Sequence, residues 1–355
     1  MKIFIKILCV ISSSAFIFSA QAQYKIEVLD SSSFQLSEGV VLSKTSFRGL
    51  SVVDDFTIWV SGSRGTMARS IDGGKTFVFK QLKGYEKSDF RDIEAFDDKR
   101  AIIMSSGTPA YVLKTIDGGE TWKEVYKNQD TAYFLDAMDF WDEARGVIVG
   151  DPIHQHFVIL KTTNGGETWS ELDTSITPWA FEGEAVFAAS GTSLRCVGEY
   201  GRLCFVTGGK LSRVVGVDVK RKYTHSESEI LSITQGKQSQ GAFSFAFNDS
   251  ASIVVGGDYL RDALVERNSC IQYLPASKKD KLSYNSNNDV NGYRSCITPI
   301  NHESFVAVGT SGVDVYKNRK WKNIASESFN VVGKAKKGKA VFVAGAKGRI
   351  GRLLY

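Results

Sequence analysis

Along most of the chain, apolar and polar residues alternate in short runs broken by glycine-rich turns. This is the pattern of half-buried β-strands, not of helices. The runs recur with a period in the forties. Strands opening on an aromatic residue begin at Phe47-Arg-Gly-Leu, Phe90-Arg-Asp-Ile and Phe134-Leu-Asp-Ala. About a dozen residues later comes a β-rich run closing on a tight turn: IWVSGSRG, IIMSSGTP and VIVGDPIH. Each unit then ends alike, in Ser70-Ile-Asp-Gly-Gly-Lys-Thr-Phe77, Thr115-Ile-Asp-Gly-Gly-Glu-Thr-Trp122 and Thr162-Thr-Asn-Gly-Gly-Glu-Thr-Trp169.

These endings fit the Asp-box, Ser/Thr-x-Asp/Asn-Gly-Gly-x-Thr-Trp/Phe. Its Asp or Asn can accept hydrogen bonds from backbone amides just ahead, and its glycines take conformations closed to other residues. The closing aromatic packs under the turn. Asp72, Asp117, Asn164, Trp122 and Trp169 are therefore read as structural. Strand, second strand, turn, third strand, box and fourth strand make one four-stranded antiparallel sheet per repeat, a propeller blade.

The pattern continues beyond the intact boxes. Phe181-Glu-Gly-Glu-Ala-Val-Phe187 leads to CVGEYGRLCF and a worn box at Thr207–Lys210. Gly241–Phe247 leads to IVVGGDYL, and Tyr293–Cys296 to FVAVGTSG, with Trp321 where a box would end. Phe329-Asn-Val-Val leads to VFVAGAKGRIGRLLY. The expected fold is all-β, a single seven-bladed propeller over residues 23–355. The last repeat stops after three strands, and Tyr24–Leu29 is expected to supply the fourth. Two polar stretches, Lys220–Gln240 and Ala276–Asn291, read as loops or long hairpins.

The first residues read as a leader. Lys2 and Lys6 precede a mostly apolar run from Ile7 to Phe18, and Ala20-Gln21-Ala22 supplies a small-x-small cleavage pattern. Cleavage after Ala22 would deliver the chain to the periplasm or the exterior, and no later stretch is apolar enough to span a bilayer. The 44 basic residues then fall to 42 against 39 acidic ones, a mild charge of +3 that does not point to nucleic acid. Cys196, Cys204, Cys270 and Cys296 remain. If Tyr200 centres its turn, Cys196 and Cys204 face each other, so a cross-strand disulfide and buried free thiols are both open. The cysteines have no CxxC pair or His cluster beside them. His154-x-His156 has a spacing that metal ligands sometimes show but no third ligand in view, so it is read as a pair of rim residues, and no metal or cofactor is expected.

The three boxes, with FLDAMDFWDEARGVIVGDP, GEAVFAASGT and GYRSC, resemble the photosystem II stability/assembly factor-like family of Asp-box propellers. That resemblance covers most of the mature chain and implies a scaffold that holds partner polypeptides. The oxidoreductase label of some relatives finds no dinucleotide fingerprint here.

The first strand of each blade lines a propeller's channel. Aligned on their leading aromatics, these strands form a ring of Arg48, Arg91, Leu135, Glu182, Ala242, Arg294 and Asn330. Three arginines repel one another unless an anion or carboxylates sit among them, and Asp92, Asp136, Glu182 and Glu184 lie in the same strands. A carboxylate-binding cluster and a salt-bridge network between blades are both open readings. Asp151 is expected at the rim, with His154 and His156 behind it. Trp179 and Tyr200 are read as stacking platforms at the mouth, with core packing as the other reading of Trp179.

The expected function is therefore an exported, monomeric binding scaffold. It would hold a polypeptide, or an acidic small molecule or glycan, on Arg48, Arg91, Arg294, Asp136, Asp151, Glu182 and Glu184, without catalysis. The alternative is a sialidase-like glycoside hydrolase with Glu182 and Glu184 as acid and base. Against it stand the blade count, the Phe47-Arg48-Gly49 sequence in place of Arg-Ile-Pro, and the lack of a Tyr–Glu pair. No G-x-S-x-G nucleophile motif occurs either.

Overall fold

In the computed structural model the described residues are 24–220, 226–273, 284–286 and 290–355. The expected leader, residues 1–22, lies outside them. The alternating runs form seven antiparallel sheets in a ring, and the described residues contain no α-helix.

The inner strands of the first three blades are Phe47–Val52, Asp89–Ala95 and Leu135–Phe140. Those of the last three are Gln240–Phe247, Cys296–Pro299 and Val331–Lys334. Lys25–Val28 pairs antiparallel with Ile350–Leu354 and completes the last blade, as its sequence predicts. The chain then runs past Gln35–Leu36, which joins the outer strand of blade 1 in parallel. Both ends of the described chain are thus fastened to the same seam.

The three DGG or NGG turns are built alike. The Ser70 hydroxyl accepts the Gly74 amide at 3.0 Å, and Asp72 accepts the Thr76 amide (3.0 Å) and hydroxyl (2.6 Å). Thr115 and Asp117 repeat this toward Gly119 and Thr121. Thr162 accepts the Gly166 amide and Asn164 Oδ1 the Thr168 amide, while Asn164 Nδ2 donates to the Thr168 hydroxyl at 2.9 Å. Phe77 is fully buried beneath its turn, Trp122 meets Trp59 edge-on and Trp169 meets Phe140 edge-on. These residues hold the outer corners of blades 1 to 3, away from the channel.

Adjacent blades meet through apolar clusters and through side chains that reach across to the next backbone. Trp59 donates its indole N–H to Asp97 O, and Ser51 Oγ accepts the Ala95 amide. Asp92 accepts the Met138 amide at 2.7 Å, and Asp139 the Cys196 amide at 2.6 Å. Ser244 Oγ accepts the Ile297 amide, Ser295 donates to Asn330 O, and Asn330 donates to Phe47 O, which joins blade 7 to blade 1.

Blade 4 departs from the expected layout by one strand. Its inner strand is Leu194–Val197, followed by Arg202–Val206, Arg213–Asp218 and Ser226–Ile230. The run expected to be its inner strand, Phe181–Phe187, instead places Glu184–Ala185 against Gly208–Gly209, which pairs in turn with Gly241 of blade 5. The worn box at Thr207–Lys210 is thus a bridge to the next blade. Glycine is needed at 208 because a Cβ would lie 2.2 Å from the Phe187 ring. The polar stretches also contain outer strands, Ser226–Ile230 and Asn285–Ser286.

The Cys196–Cys204 bridge is not formed. The turn is centred between Glu199 and Tyr200, so Cys196 pairs with Leu203 and Arg195 with Cys204. One residue of offset puts the two thiols on opposite faces, and all four cysteines are free.

Gly74 and Gly84 both have positive φ, +83° and +88°. A Cβ on Gly74 would lie 2.7 Å from the Phe342 ring, whereas Gly84 has open space. Gly84→Ala should cost about 1 kcal/mol from backbone strain alone, and Gly74→Ala about 3 kcal/mol, because it forces blades 1 and 7 apart. Equal losses in chemical unfolding would contradict this packing.

Candidate channel site

The inner strands carry a repeated irregularity. In blades 1, 2, 3 and 5 one residue is skipped in the pairing with the second strand: Arg48, Arg91, Asp136 and Phe243. A bulge of this kind re-aims the extra residue, and here all four side chains face the channel. In blades 6 and 7, Ser295 and Asn330 occupy the same level. The observed ring is therefore Arg48, Arg91, Asp136, Phe243, Ser295 and Asn330.

Blade 4 contributes no side chain at this level. The segment 185–192 takes its place and crosses the channel as a plug. The Val186 amide donates to Asp151 at 3.0 Å, and Arg48 and Arg91 donate to Ala189 O (3.1 Å) and Ala188 O (3.2 Å). Ser190 donates to Ser295 O, and Thr192 meets Ser244 at 2.6 Å. Gly191 (φ +68°) lies so close to Asp92 that a Cβ would fall 2.2 Å from its carboxyl carbon. The plug thus touches blades 1, 2, 3, 5 and 6.

Above the plug is a cavity of about 450 Å³. Its polar lining is Arg48, Arg91, Asp136 and Asp151, and its aromatic lining Phe187, Phe243, Tyr259 and Tyr293. Phe187 stacks on Phe243 at 4.0 Å with the rings nearly parallel, and Tyr293 meets Phe243 edge-on at 4.8 Å. The cavity lies at the channel end bearing the turns between second and third strands, since Asp151, Tyr259 and Thr310 line it.

Charge in this cavity is incompletely paired. Arg91 Nε donates to Asp89 and Nη1 to the plug, which leaves donor capacity on Nη2. Burial and the neighbouring Arg91 lower the pKa of Arg48. Burial, reinforced by the charge of Asp151, holds the Asp136 carboxyl well above its usual range, with Arg91 opposing. Burial lifts Asp151 to about 6, against the Val186 amide. Burial also raises the Tyr293 phenol, with Arg48 pulling the other way.

Of the expected ligand-binding residues, Arg48, Arg91, Asp136 and Asp151 line this cavity and Arg294, Glu182 and Glu184 do not. Arg294 is fully buried on Asp314, with Nε at 2.8 Å and a second contact through Nη2, and it also holds Ser311 Oγ at 2.7 Å. It occupies the level of Phe47 and Phe329, one residue before the channel position. Leu135 and Ala242 are one residue early in the same way, and Asp136 and Phe243 take their places. Glu182 is exposed and pairs with Lys210. Glu184 is buried in a two-pronged pair with Arg213 and also accepts Thr207 Oγ1 at 2.6 Å.

Trp179 is 53 % exposed and packs edge-on against His156, while His154 sits in the adjoining turn at φ +50°. Among the described residues no His, Cys, Asp and Glu cluster has the geometry of a metal site. Tyr200 lies between Trp141 and Arg145, in the turn joining the first two strands of blade 4, at the opposite end from the cavity. The sequence reading missed Phe187, Phe243, Tyr259 and Tyr293. Their signal was an aromatic at or beside the start of several inner strands.

Residues 92–178 match the family model of the photosynthesis system II assembly factor YCF48. A solved structure described as YCF48 bound to D1 peptide superposes with a TM-score of 0.62 at 13 % identity, over 94 % of this chain and 95 % of that one. The chain is a seven-bladed β-propeller whose residues 92–178 are similar to YCF48. YCF48 from Cyanidioschyzon merolae gives a TM-score of 0.58 at 12 % identity, covering 93 % and 98 % of the two chains. The Pan2 WD40 domain of Neurospora crassa gives 0.59 at 10 %, covering 86 % and 88 %. At such identities the superpositions speak to the fold. Among curated proteins none matches the sequence.

The buried acids give the fold a definite pH response. Asp151 titrates near 6 when folded, above the ordinary carboxylate value, so the folded state binds its proton more tightly than the unfolded chain. Its effect on stability is therefore most favourable below about pH 4, declines as pH rises toward 6 and is constant above that. Asp151→Asn keeps an acceptor for the Val186 amide and removes this decline. Urea midpoints measured from pH 4 to 7 should fall less steeply for the variant, and parallel curves would refute the assignment.

Proposed function

We propose that this protein is an exported scaffold that holds a segment of a partner polypeptide in the cavity above the plug. The observation that carries the reading is the pair of bulged arginines, Arg48 and Arg91. Plug carbonyls fix both, and both face a half-enclosed aromatic cavity. Guanidinium groups held in this way lose little entropy on meeting a carboxylate, and partial burial strengthens the contact. The solved YCF48 with a D1 peptide supports peptide holding as a use of this kind of propeller. The leader and its Ala20-Gln21-Ala22 site support export. Glu182 and Glu184, engaged by Lys210 and Arg213, supply no free acid–base pair at the cavity, and no observation here favours the hydrolase reading.

The test is quantitative binding of the purified partner segment, identified by cross-linked capture from native cells. Arg48→Gln/Arg91→Gln should weaken binding at least about 100-fold while leaving the unfolding midpoint within a few degrees. Arg294 is unsuitable for this test, because removing it strands Asp314 in the interior at a cost of roughly 3–5 kcal/mol. Undiminished binding by the double variant would exclude the cavity. Sequencing of the cell-purified protein should begin at Gln23, and an intact Met1 would exclude export through this leader.

A further inference from the structure

The arginines account for half of the cavity's charge. Asp136 is fully buried, lines the cavity, and neither carboxylate oxygen makes a hydrogen bond, although the Ala188 and Asp151 amides lie close enough to draw on its charge. Asp151 offers one oxygen to the Val186 amide and lies near enough for its charge to act on Asp136. A buried carboxyl without partners is costly, and ordinary packing would have replaced it with an apolar residue or supplied donors. Arg91 does not meet the need, because Nε serves Asp89 and Nη1 serves the plug.

We propose that Asp136 and Asp151 form a second subsite, for an N–H-donating cation carried by the bound segment beside its carboxylate. The inference rests on the peptide-holding reading and deepens it by specifying charge on both sides of the ligand. A primary ammonium or a guanidinium has the donors that the Asp136 oxygens lack. Without ligand, burial and the neighbouring charge of Asp151 disfavour ionisation of Asp136. A cation entering beside the two acids relieves that repulsion, so that both can ionise against it while Arg48 and Arg91 hold the carboxylate. The aromatic surface of Phe187 and Phe243 excludes water from both contacts and adds a face for the alkyl part of a basic side chain. The cavity therefore selects a basic residue next to a carboxylate over a carboxylate alone.

The experiment uses three fluorescein-labelled peptides, Gly-Ser-Gly-Ala followed by Lys, Arg or norleucine with a free carboxyl end. Binding to the full mature chain is read by anisotropy at neutral pH. Lys or Arg should bind about ten-fold or more tighter than norleucine, and the better of the two distinguishes an ammonium from a guanidinium subsite. Asp136→Asn/Asp151→Asn should bring all three to the norleucine level. The wild-type comparison stands even where the variant folds poorly. Equal affinities of wild type for all three, or a preference that survives in the variant, would overturn the cation subsite and leave the arginine reading intact. Failure of every peptide to bind would overturn both.

Discussion

In a propeller the inner strands of neighbouring blades diverge too much to share a β-ladder, so their facing backbone groups need other partners. In this chain side chains supply them: Ser51, Asp92, Asp139, Ser244, Ser295 and Asn330 each reach the backbone of the next inner strand. The ring is held at its centre by these contacts, at its rim by the DGG and NGG turns, and at its seam by Lys25–Val28. Buried carboxylates serve as acceptors at two of the joints and are costly to ionise there. Asp92 lies well above its ordinary range through burial, and Asp139 is lifted to about 6 by the same cause.

Fixing the inner strands by their edges frees one residue near the start of each, in every blade but the fourth, to serve the channel. The bulges at Arg48, Arg91, Asp136 and Phe243 use this freedom to set guanidinium, carboxyl and aromatic groups at one level. The plug at 185–192 turns the open channel into a cavity with a floor and gives both arginines fixed acceptors. Together these features make a small, pre-ordered, amphoteric pocket.

Much of the fold was legible because aromatic-led strands and DGG turns have local causes. The closure by Tyr24–Leu29 was legible too, since a three-stranded last repeat leaves an open edge. The plug was not. Phe181–Phe187 has the aromatic lead and alternation of an inner strand, and only its pairing with Gly208–Gly209 shows otherwise. The channel ring slipped by one residue at Leu135, Ala242 and Arg294, because the residue at the buried level is not always aromatic. Arg294 could be recognised as structural only through Asp314, twenty positions away and opposite it in the fold. Counting from the bulge, rather than from the aromatic, aligns the inner strands of blades 1, 2, 3 and 5.

The most direct test of a partner held at the plugged end of the channel is site-specific photocrosslinking in living cells. Benzoylphenylalanine would be placed once at Tyr259, at the cavity, and once at Phe56, an exposed turn residue at the other end. The account predicts one discrete crosslinked partner from position 259 and none from position 56. A discrete partner from position 56 alone would contradict it.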